Sequence, residues 1–284
     1  MTASTQTGGQ RARATAAAEV TPAASGAGVV TTVVTVAMRG VRRYMRTPQM
    51  LVFNLIGLAT FGFLFRYIFG GAIHQGSVPY VDFLVPGFVL TSVLITGTGV
   101  AAGVAEHIEQ GAFDRLRSLP VPRVALAAGQ VTGDTIIVAW GVAVTAAMGF
   151  AVGFRLHGSL TQAVIACALC VLCGFAFLWM FVGIGLVAGN AQSAQGMSMA
   201  IYPLIFVSSA YVRVDTLPGW LQPIAAHQPV TIMSNAVRSL ALGNPAAAGL
   251  GHTTTYWVML SLAWAAGLAV IFAPLAIIGY RRSP

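Results

Sequence analysis

Residues 106–123 read EHIEQGAFDRLRSLPVPR, and long apolar runs flank this segment on both sides. The chain has 15 basic and 7 acidic residues in 284 positions, and every basic residue is an arginine. Six of these charges fall in the segment. A charge cluster between apolar runs indicates a loop at a membrane surface, a docking surface for another protein, or both. The charged residues are Glu106, Glu109, Asp114, Arg115, Arg117 and Arg123.

The composition predicts a membrane protein. The chain is 57% hydrophobic and only 8% charged, whereas about 25% of the residues of a soluble domain are charged. We therefore expect an all-α, polytopic protein whose solvent is the bilayer. The net charge of +8 does not indicate nucleic-acid binding, because most arginines flank apolar runs, as the positive-inside bias predicts.

Six apolar runs are long enough to cross a hydrocarbon core of about 30 Å. Pro203 is expected to kink the fifth of them. The stretch 213–252 is too polar to cross, and it predicts two short interfacial or re-entrant helices between spans five and six. The approximate bounds of the spans are 50–69, 83–105, 128–152, 163–188, 196–212 and 255–279.

The N-terminal region divides into a tail, residues 1–28, and an amphipathic helix at 29–47. The tail is rich in small and polar residues and is expected to be disordered in the cytoplasm. In the helix, apolar residues recur at helical spacing, and four arginines occupy the opposite face. It is either a membrane anchor or a lever that touches a cytoplasmic partner. We expect residues 29–284 to form one transmembrane domain. The four arginines of the amphipathic helix are Arg39, Arg42, Arg43 and Arg46.

The arginine distribution predicts the orientation. With six spans both termini lie on one side, and that side carries eleven of the arginines. The positive-inside rule then places both termini and loop 106–127 in the cytoplasm. Asp134, just inside span three, is expected to cap the helix, pair with a loop arginine or lie at the interface. A proton relay is the alternative for this carboxylate.

Several kinds of chemistry are excluded. A chain without lysine cannot contain a Walker A motif. No protease constellation and no cluster with metal-ligand spacing is present, so we predict no catalytic, cofactor-binding or metal-binding residue.

Three blocks resemble the type-2 ABC exporter permeases, and among them the daunorubicin-resistance branch. The first is YVDFLVPG at 80–87, and the second is GAFDRLRSLPVPR at 111–123 with Gly129 and Asp134 after it. The third lies within 217–238 and contains LPGWL, HQPV and AVR. The resemblance covers about residues 35–282. The family often has Asn where this chain has His227, which leaves the role of that residue open.

The resemblance implies a subunit of a bacterial plasma-membrane exporter. Two permeases, identical or related, pair with two separately encoded ATPase subunits that bind ATP and magnesium. This chain would then be a transport subunit and not itself an enzyme. In such exporters, the loop between spans two and three forms a coupling helix that docks in a groove of the ATPase.

The spacing in this loop agrees with a docking helix. Phe113, Leu116 and Leu119 recur at i, i+3 and i+6, so they share one face of a short helix. An apolar stripe at a cytoplasmic surface needs a protein partner if it faces away from the membrane. The alternative is a helix lying on its own membrane. The predicted coupling set is Glu106, Glu109, Gly111, Phe113, Asp114, Arg115, Leu116, Arg117, Leu119, Pro120 and Arg123.

The predicted function is outward movement of a lipophilic drug, antibiotic or lipid, driven by ATP hydrolysis in the partner. Two alternatives remain open at this point. One is a permease of the same fold for a polysaccharide or a cell-envelope glycolipid. The other is a channel or membrane scaffold that does not depend on ATP.

Overall fold

The computed structural model describes residues 29–46, 79–111, 123–244 and 249–282, with single positions between 56 and 67. The predicted tail lies outside the described residues, and the predicted first span lies almost wholly outside them.

Every regular element in these described stretches is helical. Four of the helices, α2, α3, α4 and α9, are long and apolar enough to cross a membrane. They correspond to the predicted spans two, three, four and six. In chain order the elements are α1 (Val29–Met45), α2 (Tyr80–Glu109), α3 (Arg123–Ala151), α4 (Leu160–Ala188), α5 (Ala191–Ser198), α6 (Ile201–Phe206), a 3-10 turn (Val214–Thr216), α7 (Gln222–His227), α8 (Pro229–Leu242) and α9 (Thr254–Arg282).

Local sequence signals set several of the helix ends. Ser159 caps α4 in a capping box with Gln162, so two otherwise unpaired N–H groups are satisfied. The end of α2 is followed by Gly111 at φ 64°, a left-handed conformation that glycine adopts without strain. Gly243 ends α8 in the same way, at φ 68°.

The core is built on α2 and α4. Helix α4 packs against α2, α3, α8 and α9, and α2 also packs against α3, α5 and α8. Glycines allow the close approach, because a methyl group on Gly97 would overlap the ring of Phe181. One on Gly185 would lie 2.5 Å from the carbonyl oxygen of Ala101. The outer faces of α3 and α9 are apolar and exposed, as at Trp140 and Val270, which suits contact with lipid or another subunit.

The predicted fifth span, 196–212, is not one continuous helix. It is replaced by α5 and α6, which are separated at Met199 and Ala200. Pro203 has no N–H to bond the Met199 carbonyl one turn earlier, and that carbonyl accepts the N–H of Tyr202 instead, at 3.0 Å. Helix α6 then ends at Phe206, so residues 207–212 are not helical.

The two short helices predicted within 213–252 are present as α7 and α8. Every residue of α8 from Val230 to Leu242 is buried. It packs against α2, α4 and α9. Helix α8 is therefore part of the core and does not lie on the surface.

The bundle has two distinct ends. At the end that we call the α8 end, the Arg155 N–H donates to Asp82 Oδ1 at 3.0 Å, and the Gly158 N–H donates to the Ala241 carbonyl at 3.2 Å. These bonds join the start of α2, the α3–α4 turn and α8. At the opposite α1 end, α1 lies beside the last turn of α2 and the first turns of α3.

Candidate functional site

Arg238 on α8 is the centre of the α8 end. Its side chain is fully buried. Nε donates to the Phe83 carbonyl at 2.9 Å, and Nη2 donates to the Ser209 carbonyl at 2.8 Å. Nη1 donates to Asn235 Oδ1 at 2.9 Å. The guanidinium also lies over the Phe83 ring, 3.7 Å from its centroid. One cation thus joins α2, α8 and the segment 207–211.

The partners of Arg238 in the described part of the chain are neutral. Carbonyl and amide oxygens accept its hydrogen bonds, and the ring face adds a cation–π contact. Burial lowers the pKa of Arg238 to about 9, so the side chain is still a cation at neutral pH. A buried cation is tolerated only when its donors are satisfied, and here several oxygens meet that need.

Further hydrogen bonds hold the segment 207–211 between α2 and α8. The hydroxyl of Tyr80 donates to the Tyr211 carbonyl at 3.3 Å, and the hydroxyls of Thr91 and Tyr211 share a bond of 2.9 Å. A side chain on Gly87 would collide with the Ala210 carbonyl, so only glycine allows this approach. Segment 207–211 is therefore bonded to α2 on one side and, through Arg238, to α8 on the other.

A cleft of about 510 Å³ opens beside this network. Its lining mixes apolar and polar groups and includes Arg213, Asp215, His227, Asn235 and Trp257. Arg213 Nη2 donates to Asp215 Oδ2 at 2.6 Å. His227, whose role the sequence left open, has its Nδ1 2.8 Å from the Pro223 carbonyl. This cleft lies on the same side of the molecule as the start of α2.

At the α1 end, α1 packs closely on α3. A Cβ on Gly129 would lie 2.8 Å from Val36 Cβ, and one on Gly133 would lie 3.0 Å from the Ala37 carbonyl oxygen. Part of the predicted apolar face of α1 is therefore buried against a helix. Another part, including Val34, is exposed.

Arg43 on α1 reaches the last turn of α2. Its Nη1 donates to His107 Nε2 at 2.8 Å, and its Nη2 lies 3.8 Å from Glu106 Oε2. Since arginine has no acceptor, His107 accepts with a neutral ring. The predicted interfacial helix thus touches the beginning of the charged segment. The other three predicted arginines of α1, Arg39, Arg42 and Arg46, are exposed.

The remaining predicted site residues divide into two groups. Gly111 ends α2, Glu109 is in the last turn of α2, and Arg123 begins α3. Asp134 is buried and accepts a hydrogen bond of 2.9 Å from the amide of Gln130, one turn earlier. The other coupling residues lie outside the described residues: Phe113, Asp114, Arg115, Leu116, Arg117, Leu119 and Pro120.

Helix α2 connects the two ends without a break. It has 30 residues, which is about 45 Å at about 1.5 Å per residue. Arg238 binds its first turn, and Arg43 binds its last. A displacement at one end of a packed rod of this kind is transmitted to the other.

Comparison with known proteins identifies the family, since residues 31–242 match the ABC-2 type transporter family. The chain belongs to the ABC-2 type transporter family. It is 32% identical to the daunorubicin resistance ABC transporter permease protein DrrB1 of Streptomyces coeruleorubidus, over 86% of this chain and 84% of the relative. It is 28% identical to the probable doxorubicin resistance ABC transporter permease protein DrrC of Mycobacterium tuberculosis, over 70% of each chain.

This ABC-2 chain is thus a membrane permease related to subunits of drug-resistance exporters. Such permeases work with an ABC ATPase, which agrees with the absence of lysine and hence of a Walker A motif here. Sequence reasoning placed Arg238 in the third block of the resemblance but gave it no role. The available signal was that Arg238 is the one charged residue of α8, since an ionisable residue among the helices of a membrane protein is a functional candidate.

Proposed function

We propose that this permease exports a lipophilic drug, antibiotic or lipid across the bacterial plasma membrane. Two copies, or this chain and a paralogue, pair with two ATPase subunits that bind ATP and magnesium. The support for a drug is that the relatives are named for daunorubicin and doxorubicin resistance.

The proposed topology has six crossings. Four are α2, α3, α4 and α9, and the first is the apolar run at 50–69. The fifth is the pair α5 and α6, which cross as a broken helix. Because the arginines concentrate at the α1 end, that end and both termini are cytoplasmic. The α8 end with its cleft then faces outward, where substrate leaves.

The observation that carries the mechanism is the position of α2 between Arg43 and Arg238. ATP binding closes the two ATPases and moves the predicted coupling segment, residues 111–123, which follows α2 in the sequence. That movement shifts α2, which pulls on its contacts with α8 and the segment 207–211. The spans then change from inward to outward access. Substrate passes along the dimer interface, lined by spans one, two and five.

A transport assay tests this proposal. The permease and its ATPase are expressed together in a drug-sensitive bacterium, and daunorubicin accumulation and drug-stimulated ATP hydrolysis are measured. Phe113→Asp with Leu116→Asp should abolish both activities and the co-purification of the ATPase, while membrane insertion is retained.

The matched control is Phe113→Leu with Leu116→Met, which keeps the apolar stripe and should keep transport. Unchanged co-purification of the ATPase with the double Asp variant would refute the docking role. Daunorubicin accumulation that is equal with and without the intact permease would refute daunorubicin as a substrate.

A further inference from the structure

Helix α1 presents three distinct sectors around its axis. At 100° per residue, the sector of Ala37 packs against α3. Next to it, Val34, Met38 and Met45 fall within about 40° of one another, and each has about half of its side chain exposed. We call Val34, Met38 and Met45 the apolar stripe. The third sector carries the exposed arginines Arg39, Arg42 and Arg46, which we call the arginine surface.

The arginine surface is uncompensated within the described residues. Arg43 contacts Glu106 and His107, but no carboxylate in the described part of the chain lies within salt-bridge distance of Arg39, Arg42 or Arg46. Residues 29–46 contain no Asp or Glu. Together with Val34, Thr35 and Met38, these arginines line a cleft of about 720 Å³.

The depth of α1 follows from its contacts with α3. Arg123 begins α3 and is followed by a mainly apolar stretch, and α1 packs on Gly129 and Gly133, about two to three turns after it. Because arginines that flank apolar runs lie at the headgroups, we place α1 near the point where α3 enters the hydrocarbon, next to the lipid headgroups.

We infer that the arginine surface binds anionic phospholipid headgroups. The apolar stripe lies against acyl chains, and the neighbouring arginines reach the phosphates, which is the pattern of an interfacial helix on an anionic leaflet. A soluble phosphate compound would have no use for Val34, Met38 and Met45. This inference does not depend on the transported substrate or on how the ATPase docks.

Native mass spectrometry of the full-length permease in detergent tests it. The probes are phosphatidylglycerol and phosphatidylcholine with the same acyl chains. The wild-type chain should prefer phosphatidylglycerol, and the preference should weaken as salt rises from about 0.1 to about 1 M. Replacing all three arginines, as R39Q/R42Q/R46Q, should lower the preference by about fivefold per arginine removed.

Two variants serve as controls. R11Q/R13Q/R155Q removes the same charge elsewhere and should keep the preference. R39K/R42K/R46K keeps the charge and should keep most of it. Should the triple Gln chain aggregate, Arg42→Gln alone should still lower the preference by about fivefold.

Three results would overturn the inference. One is equal binding of both lipids by the wild-type chain. Another is an equal loss of preference in R11Q/R13Q/R155Q. The third is an R39Q/R42Q/R46Q chain that keeps its lipid preference and loses its ATPase in co-purification, which would make the arginine surface a protein-docking site.

Discussion

At the α8 end, Arg238 is fully buried and its guanidinium binds neutral oxygens at 2.8–2.9 Å. At the α1 end, Arg43 has 62% of its side chain exposed and lies 3.8 Å from Glu106. Both arginines hold the same helix, α2, one at its first turn and one at its last. The free energies of the two contacts must differ greatly, because water screens only the second.

The two ends of α2 therefore differ in how easily their contacts can change. A buried network is costly to disturb, since each donor or acceptor that loses its partner stays without one. An exposed ion contact is weak and can be exchanged for another partner at little cost. The α8 end is thus built to have few stable arrangements, whereas the α1 end is suited to contacts that change during a transport cycle.

The largest effect is expected for Arg238→Met. It removes the Arg238 donor from the Phe83 and Ser209 carbonyls, at about 1–3 kcal/mol each, whereas the Asn235 amide oxygen keeps the Ser209 hydroxyl at 2.8 Å. We expect a loss of at least about 2 kcal/mol, seen as a lower unfolding midpoint of the purified permease and as poor yield. Arg213→Met removes a partly exposed arginine at the same end and should change the midpoint little. Equal midpoints for the two variants would contradict the central role of Arg238.

A smaller loss is expected for Gly87→Ala. The new methyl group collides with the Ala210 carbonyl and pushes the segment 207–211 away from α2. Overpacking of this kind costs about 1–3 kcal/mol. The control is Gly99→Ala in the same helix, where a Cβ meets open space. That change should be neutral or stabilise the helix by up to about 1 kcal/mol. A thermal shift assay on both variants would show whether the close approach or the glycine itself matters.

Hydropathy and charge predicted much of this fold, and particular residues show which of its features they could not predict. Runs of apolar residues located α2, α3, α4 and α9, because crossing a bilayer requires about 20 such residues. Hydropathy averaging predicted one span at 196–212, and although Pro203 predicted a kink there, the full break at Met199 and Ala200 was not predicted. Nor could hydropathy show that the polar α8 is buried, since its environment comes from α2, α4 and α9, which are distant in sequence.

The two arginine contacts were not equally predictable. The periodicity of α1 put Arg43 on a basic face, but no pattern within α1 names Glu106 or His107 as its neighbours. Arg238 stood inside a block shared with a known family, yet its acceptors come from residues 83, 209 and 235. Contacts that join distant segments depend on packing geometry, which local periodicity does not contain.

At the α1 end, Arg43→Gln should cost little stability and impair coupling. An exposed ion pair contributes about 0.2–1 kcal/mol, so the unfolding midpoint should shift only slightly. Drug-stimulated ATP hydrolysis should fall more, because α1 loses its contact with the last turn of α2. A double-mutant cycle with Glu106→Gln measures the interaction directly. An interaction energy far above about 1 kcal/mol would mean that this end is as firmly held as the other.

The smallest effect is expected for the salt bridge between Arg213 and Asp215. At 2.6 Å between Nη2 and Oδ2, it is the shortest salt bridge in the described residues. The hydrogen bond from Arg213 lowers the pKa of the Asp215 carboxyl. A lowered pKa means that this pair stabilises the fold above the unfolded-state pKa, and that the contribution is lost as pH falls through the folded-state value. With 58% of the Asp215 side chain exposed, the contribution should stay below about 1 kcal/mol. Asp215→Asn should therefore leave the unfolding midpoint at pH 7 almost unchanged and remove a small decrease on acidification. Because this pair shares the α8 end with Arg238, a large effect here would show that position in the bundle, and not burial, sets the strength of a contact.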